Sequence, residues 1–201
     1  MAALIDAANA GSIDGAVTHV VSNRPDAAGL AYAQRCGIAT SVVDHRAYAS
    51  RTAFEAELAT VIDRSEPDLI VLAGFMRILT ADFVQRYEGR MLNIHPSLLP
   101  AFPGLAAQKQ ALDWGVKVSG CTVHFVTEGV DAGPIIRQAA LPILEEDTEE
   151  TLAARILMEE HRIYPQALQL YAEKRLTVEG RKVRIRENKS PHGASLLASD
   201  S

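Results

Sequence analysis

The chain has 201 residues, 48% of them hydrophobic and 22% charged, and a formal net charge of −5. That is enough apolar material to bury a sizeable core and too much for a disordered or fibrous chain. The longest apolar runs, such as Leu69 to Ala73, fall well short of the roughly 18 residues a membrane-spanning helix needs, so no membrane partner is expected. The negative balance disfavours nucleic acid as a partner, because phosphate neutralisation calls for a basic face. The opening residues, Met1 to Asp6, have neither the basic nor the apolar segment of a secretory signal, and the expected location is cytoplasmic. Cys36 and Cys121 lie far apart without a CxxC or Cys/His cluster, which points to two buried free thiols rather than zinc or a disulfide.

From Ala16 onward, short β-branched runs alternate with longer helical patterns, the rhythm of an α/β protein with a mostly parallel, twisted sheet and helices on both faces. Val17 to Val21 predicts a strand, followed by a helix to about Arg35 that Gly37 closes. Ile38 to Val43 predicts the next strand. Phe54, Leu58, Val61 and Ile62 recur at helical spacing, so an amphipathic helix is expected over Arg51 to Arg64. Asp68 to Ala73 reads as a strand buried on both faces.

Thr80 suits the N-cap of a helix ending before Gly89, and Met91 to His95 predicts a strand stopped by Pro96. A Pro- and Leu-rich loop leads to a short helix near Gln108 to Trp114, then to strands over Gly120 to Val126 and Pro134 to Gln138. Asp147 to Glu150 is an acidic helix start, and the helix runs to about Lys174 with Pro165 expected to kink or divide it. Leu176 to Arg186 alternates about Glu179-Gly180 and predicts a solvated β-hairpin. Asn188 to Ser201 has no periodic pattern and is expected to be a flexible tail.

Residues i and i+2 of a strand share a face, so Asn93 and His95 project together while Leu92 and Ile94 point into apolar packing. The pair stands at a strand's C-terminal end, where open α/β sheets bind ligands. Asp131 lies in the turn-rich loop Thr127 to Pro134. Alone it is more often a turn organiser; folded back toward His95, it would favour the imidazolium. Thr122 and His124 share a face of the preceding strand. A metal triad of His95, His124 and Asp131 lacks any supporting ligand spacing, and no metal is expected. An Asn, a His and an Asp without an activated nucleophile suggest group transfer by direct attack, with an oxyanion stabilised by the enzyme.

Three separated blocks, Leu92-Asn93-Ile94-His95-Pro96-Ser97-Leu98-Leu99-Pro100, Gly120 to Val126 and Val130-Asp131-Ala132-Gly133-Pro134-Ile135-Ile136, closely resemble the phosphoribosylglycinamide formyltransferases. The resemblance runs from about Ala2 to Arg186 and implies a Rossmann-like formyltransferase fold, a single domain over residues 1–187. It implies formyl transfer from 10-formyltetrahydrofolate to the amine of glycinamide ribonucleotide in purine synthesis, by a monomer or homodimer. On that reading His95 is the general acid, Asn93 a second donor to the oxyanion, and Asp131 the group that holds His95 protonated and relays a proton. The cofactor pocket maps onto Arg51, Met76, Arg77, Ile78, Leu79, Asn93, Val126, Val130 and Asp131, and Glu160 matches a residue that contacts the ribonucleotide.

The sequence departs from this family in two places. Family members open with a strand and a Gly-x-Gly-Ser-Asn phosphate loop, whereas Met1 to Ala7 matches the helix that follows. Truncation of this kind should leave an apolar slot between neighbouring strands and cost about 3 to 8 kcal/mol of phosphate binding. Ala106 stands where the family commonly has a histidine, which is expected to tune activity rather than abolish it. Three alternatives stay open: a folate-binding protein with little activity, a formyltetrahydrofolate deformylase, and a methionyl-tRNA formyltransferase.

Overall fold

A computed structural model describes residues 1–187; the expected tail over 188–201 lies outside the described residues. Helix α1 (Ala2–Asn9) is followed by β1 (His19–Ser22), α2 (Ala28–Arg35) and β2 (Ala39–Val42). A 3-10 turn (His45–Ala47), α3 (Arg51–Asp63), β3 (Ile70–Leu72), α4 (Ala81–Arg86) and β4 (Met91–His95) come next. Helix α5 (Ala107–Asp113), β5 (Val118–Phe125), β6 (Ile135–Pro142), α6 (Glu149–Ala172) and the hairpin β7 (Leu176–Glu179) and β8 (Lys182–Ile185) complete the chain. Caps set several boundaries. Ser50 accepts from Ala53 N–H at the start of α3, Thr80 accepts from Phe83 N–H at α4, and Thr148 and Thr151 form a capping box at α6.

The α/β class is as expected, but the sheet is mixed rather than mostly parallel. Strands β1 and β2 form a parallel pair of their own, and the six-stranded sheet has the order β3-β4-β5-β6-β8-β7. Only β3–β4 and the brief β6–β8 contact are parallel in it; β4–β5, β5–β6 and β7–β8 are antiparallel. The short loop from β5 into β6 makes that pair antiparallel, whereas β4 and β5 are antiparallel although α5 lies between them, and β6 finds a parallel neighbour in β8 only beyond α6.

Helices cover both faces of the larger sheet. On one face Leu92, Cys121, Val123, Phe125, Ala139 and Leu141 pack with Leu152, Ile156, Ile163 and Leu168 of α6. On the other, Met91 packs with Phe54, Leu58, Phe83 and Tyr87 of the α3–α4 layer. Met91 and Leu92 thus enter opposite cores, as strand alternation requires.

Three further expectations are corrected. Strand β3 is half-buried rather than enclosed, because it is the edge of its sheet and has β4 as its sole neighbour there. Cys36 is exposed while Cys121 is buried; Cys36 caps the outward end of α2, whereas Cys121 faces α6 from the centre of β5. Helix α6 runs undivided through Pro165, whose ring is buried in the core and held there by the packing of the surrounding turns. None of the described helices is long and apolar enough to cross a membrane.

Candidate active site

The β4–β5 ladder places the polar side chains. Asn93 lies opposite His124 and His95 opposite Thr122, so all four project from the face that carries Met91, beyond the end of the α3–α4 core. Strand β5 then leads into the loop over residues 127–133. That loop is pulled back over the strand end: Phe125 N–H donates to the Pro134 carbonyl, and Gly133 packs so tightly that a Cβ there would stand 1.8 Å from the Phe125 carbonyl oxygen. Asp131 adopts a left-handed conformation, φ 51°, and its carboxylate turns inward instead of organising a solvent-facing turn.

The result is a connected polar group. Asp131 Oδ2 lies 3.2 Å from His95 Nδ1 and accepts from Gly104 N–H at 2.8 Å, while Oδ1 lies 3.7 Å from His124 Nε2. The Nε2 atom of His95 faces the Phe102 carbonyl at 2.8 Å. Both ring nitrogens of His95 therefore lie beside oxygen acceptors. His124 Nδ1 lies 2.8 Å from the Phe125 carbonyl, and Nε2 lies 3.3 Å from the Asn93 amide nitrogen on the side facing Asp131 Oδ1. Asn93 retains a second amide hydrogen for a ligand.

Burial alone would raise the Asp131 carboxyl. The His124 ring, the Gly104 N–H and the nearby His95 charge outweigh it and hold the group below the ordinary carboxylate range. Asp131 is thus an anion set between two imidazoles, and His95, only 5% exposed, is shielded from bulk water.

Thr122 holds the loop over residues 96–106 in place. Its hydroxyl donates to the Ser97 carbonyl at 2.7 Å and accepts from Leu99 N–H at 3.1 Å and from Gln138 Nε2 at 2.9 Å, which uses its full capacity. Gln138 also donates to the Leu99 carbonyl at 2.9 Å. This hub fixes the segment that carries Phe102 and Gly104 onto His95 and Asp131.

Beside the polar group opens a cavity of about 400 Å³. Arg51, Met76, Arg77, Ile78, Leu79, Asn93, Val126, Val130 and Asp131, every residue assigned to a cofactor pocket from the sequence, line it together with His124, Leu105 and Gly104. Met76 and Ile78 are 71% and 60% exposed, apolar walls that a bound planar ring would cover. The Arg77 guanidinium rests over the Phe54 ring at 5.5 Å. The segment is anchored by buried Glu55, whose carboxylate accepts from Thr80 N–H at 3.0 Å and from the Thr80 hydroxyl.

Glu160 is not brought to this group. It sits on α6, across the sheet from Asn93 and His95, half-buried near the N-terminal ammonium. Burial raises its carboxyl and the ammonium partly opposes that. Tyr171 Oη reaches the Asp68 carbonyl just before β3 and Tyr164 Oη the Leu72 carbonyl at its end. One more turn back along the helix carries Glu160 toward the C-terminal ends of the strands.

A family model described as formyl transferase matches residues 1–168. The chain belongs to the formyl transferase family. Within that family it is 48% identical over 174 residues to the phosphoribosylglycinamide formyltransferase of Escherichia coli K12, covering 87% of this chain and 82% of that protein. The crystal structure of glycinamide ribonucleotide transformylase 1 from Symbiobacterium toebii superposes with a TM-score of 0.91 at 56% identity, covering 92% of this chain and 88% of that one. A trifunctional purine biosynthetic protein, adenosine-3 of Bos taurus, is 50% identical over 170 residues, and this formyl transferase chain spans 17% of its length. The likeness inferred from three sequence blocks is therefore borne out over most of the chain.

Sequence reasoning weighed His124 only as a metal ligand, whereas it links Asn93 to Asp131 within the formyl transferase site. Among the described residues no group of three or more side chains is arranged to hold a metal ion. The signal for His124 was its shared face with Thr122, but its cross-strand partner is decided by register. The contacts of Phe102 and Gly104 are made by backbone atoms and leave no trace in side-chain type.

Proposed function

We propose that this chain transfers a formyl group from 10-formyltetrahydrofolate to the amine of glycinamide ribonucleotide. The observation that carries the reading is the Asp131–His95 pair buried beside Asn93, at the inner end of an apolar-walled cavity with arginines at its rim. The family match and the identities above favour this donor and acceptor over the deformylase and tRNA-directed alternatives.

In the proposed reaction the amine attacks the formyl carbon, and the carbonyl oxygen becomes an oxyanion. The His95 ring donates to it through Nε2, and the free Asn93 amide hydrogen provides a second bond. Nε2 must first be released by the Phe102 carbonyl, so the loop over residues 96–106 shifts when substrate enters. Asp131 holds Nδ1 and keeps the ring cationic, and it accepts the proton lost by the amine for delivery to the departing N10 of the donor. As the carbon–N10 bond breaks, the oxyanion re-forms a carbonyl and the formyl group is left on the amine. Met76, Ile78, Leu79, Val126 and Val130 hold the donor's ring system, Arg51 its glutamyl carboxylates, and Glu160 the ribonucleotide.

The test is direct. Purified protein is mixed with both substrates, and formation of tetrahydrofolate and formylated ribonucleotide is followed. Turnover that depends on both substrates and falls at least a hundredfold in His95→Asn supports the proposal; turnover with water or formyl-accepting tRNA alone refutes it.

A further inference from the structure

A second cavity, of about 460 Å³, lies away from the candidate active site, between the end of α1, strand β6 and helix α6. Its wall contains Arg137, Arg162, Arg175 and His161 together with the amides of Gln166 and Gln169. Two of the guanidiniums are partly engaged. Arg162 Nε donates to Glu159 at 2.9 Å, and Arg175 donates through Nη1 to Glu173 at 2.8 Å and through Nε to the Arg186 carbonyl at 2.7 Å.

Arg137 differs. Its side chain makes no ion pair or hydrogen bond among the described residues, and its Nε is a buried donor with no partner. It projects from β6 on the face that carries the buried residues Ala139 and Leu141, where an apolar side chain would be expected. Burying part of an unpaired guanidinium is unfavourable, and a strand position of this kind retains one at a cost unless a counter-charge arrives. Three arginines against the two carboxylates of Glu159 and Glu173 leave the cavity a net positive charge before His161 is considered. Guanidinium groups match phosphate oxygens in pairs, and the spare donors on all three arginines lie around one space.

We propose that this cavity is a binding site for a small phosphate-class anion, such as a phosphate or diphosphate group, held chiefly by Arg137 with Arg162 and Arg175 closing around it. The site is separate from the reaction cleft and does not rest on the formyl-transfer reading. It would couple anion binding to the docking of α6 on β6, raising stability when filled.

The test measures binding rather than activity. Thermal unfolding and titration calorimetry are run with potassium phosphate and pyrophosphate, with potassium chloride at matched ionic strength and citrate as the carboxylate arm. The parent protein is expected to gain several degrees in Tm with pyrophosphate over chloride. Arg137→Leu should weaken binding at least tenfold, and Arg162→Gln, at the exposed rim where folding is not at risk, at least threefold. No response beyond chloride in the parent, an undiminished response in both variants, or tighter binding of citrate than of pyrophosphate would each overturn the proposal.

Discussion

Replacing Asp131 by Asn tests the central electrostatic claim with little change of shape. The side chain is isosteric and its oxygen can still accept from Gly104 N–H, now at 2.8 Å, so the loop should stay in place. What is lost is an anion 3.2 Å from His95 Nδ1. Opposite unit charges at that distance attract by about 5 kcal/mol at an effective dielectric near 20. The amide dipole retains part of this, so the expected loss is about 2 to 4 kcal/mol of transition-state stabilisation, roughly 30- to 1,000-fold in kcat.

Stability follows a sign of its own. A carboxyl held below its ordinary value stabilises the fold above about pH 4 and loses that contribution as pH falls through the depressed value. Melting temperatures of parent and variant should therefore converge in strong acid and separate toward neutrality. The assay is kcat and KM for formyl transfer across pH 5 to 9, paired with calorimetric melting from pH 2 to 7. A variant within threefold of the parent in kcat, or a constant Tm difference through the acid range, would show that the Asp131 charge is not what prepares His95.

Thr122→Val keeps the volume but strips partners from Leu99 N–H, the Ser97 carbonyl and one Gln138 hydrogen; a loss of about 2 to 4 kcal/mol is expected in urea unfolding, and a loss under 1 would discount the hub. Gly133→Ala places a Cβ 1.8 Å from the Phe125 carbonyl oxygen, so the loop must move; about 3 kcal/mol of stability and at least tenfold in kcat should go with it, and normal kinetics would show that the loop's position is immaterial. Ala106→His is expected to change formyl-transfer kcat by less than about a thousandfold, the span general acid–base groups supply; a larger gain would place that position in the reacting machinery.

Much of the element order could be read from periodicity and punctuation. The strand over Met91 to His95 matches its expected bounds, as does the start of α3 at Arg51, because a cap and a proline mark them locally. The sharing of a face by Asn93 and His95 follows from alternation, and the cavity lining assigned through family resemblance is gathered in one place. Edge status was not legible: the apolar run at Ile70 to Leu72 reads the same in a central strand as in an edge one. Nor was the fate of Pro165, since local propensity predicts a kink or a division and tertiary packing keeps the helix undivided.

By itself, then, the sequence determined which residue types stand at strand ends, helix starts and turns, since these depend on neighbours within a few positions. Tertiary structure alone decided that β5 runs antiparallel to β4, setting His124 against Asn93 and Thr122 beneath the loop. It also decided that the backbone of Gly104 and Phe102 meets Asp131 and His95. These contacts depend on ladder register and on backbone atoms that every residue shares, and no pattern of side chains along the chain encodes them.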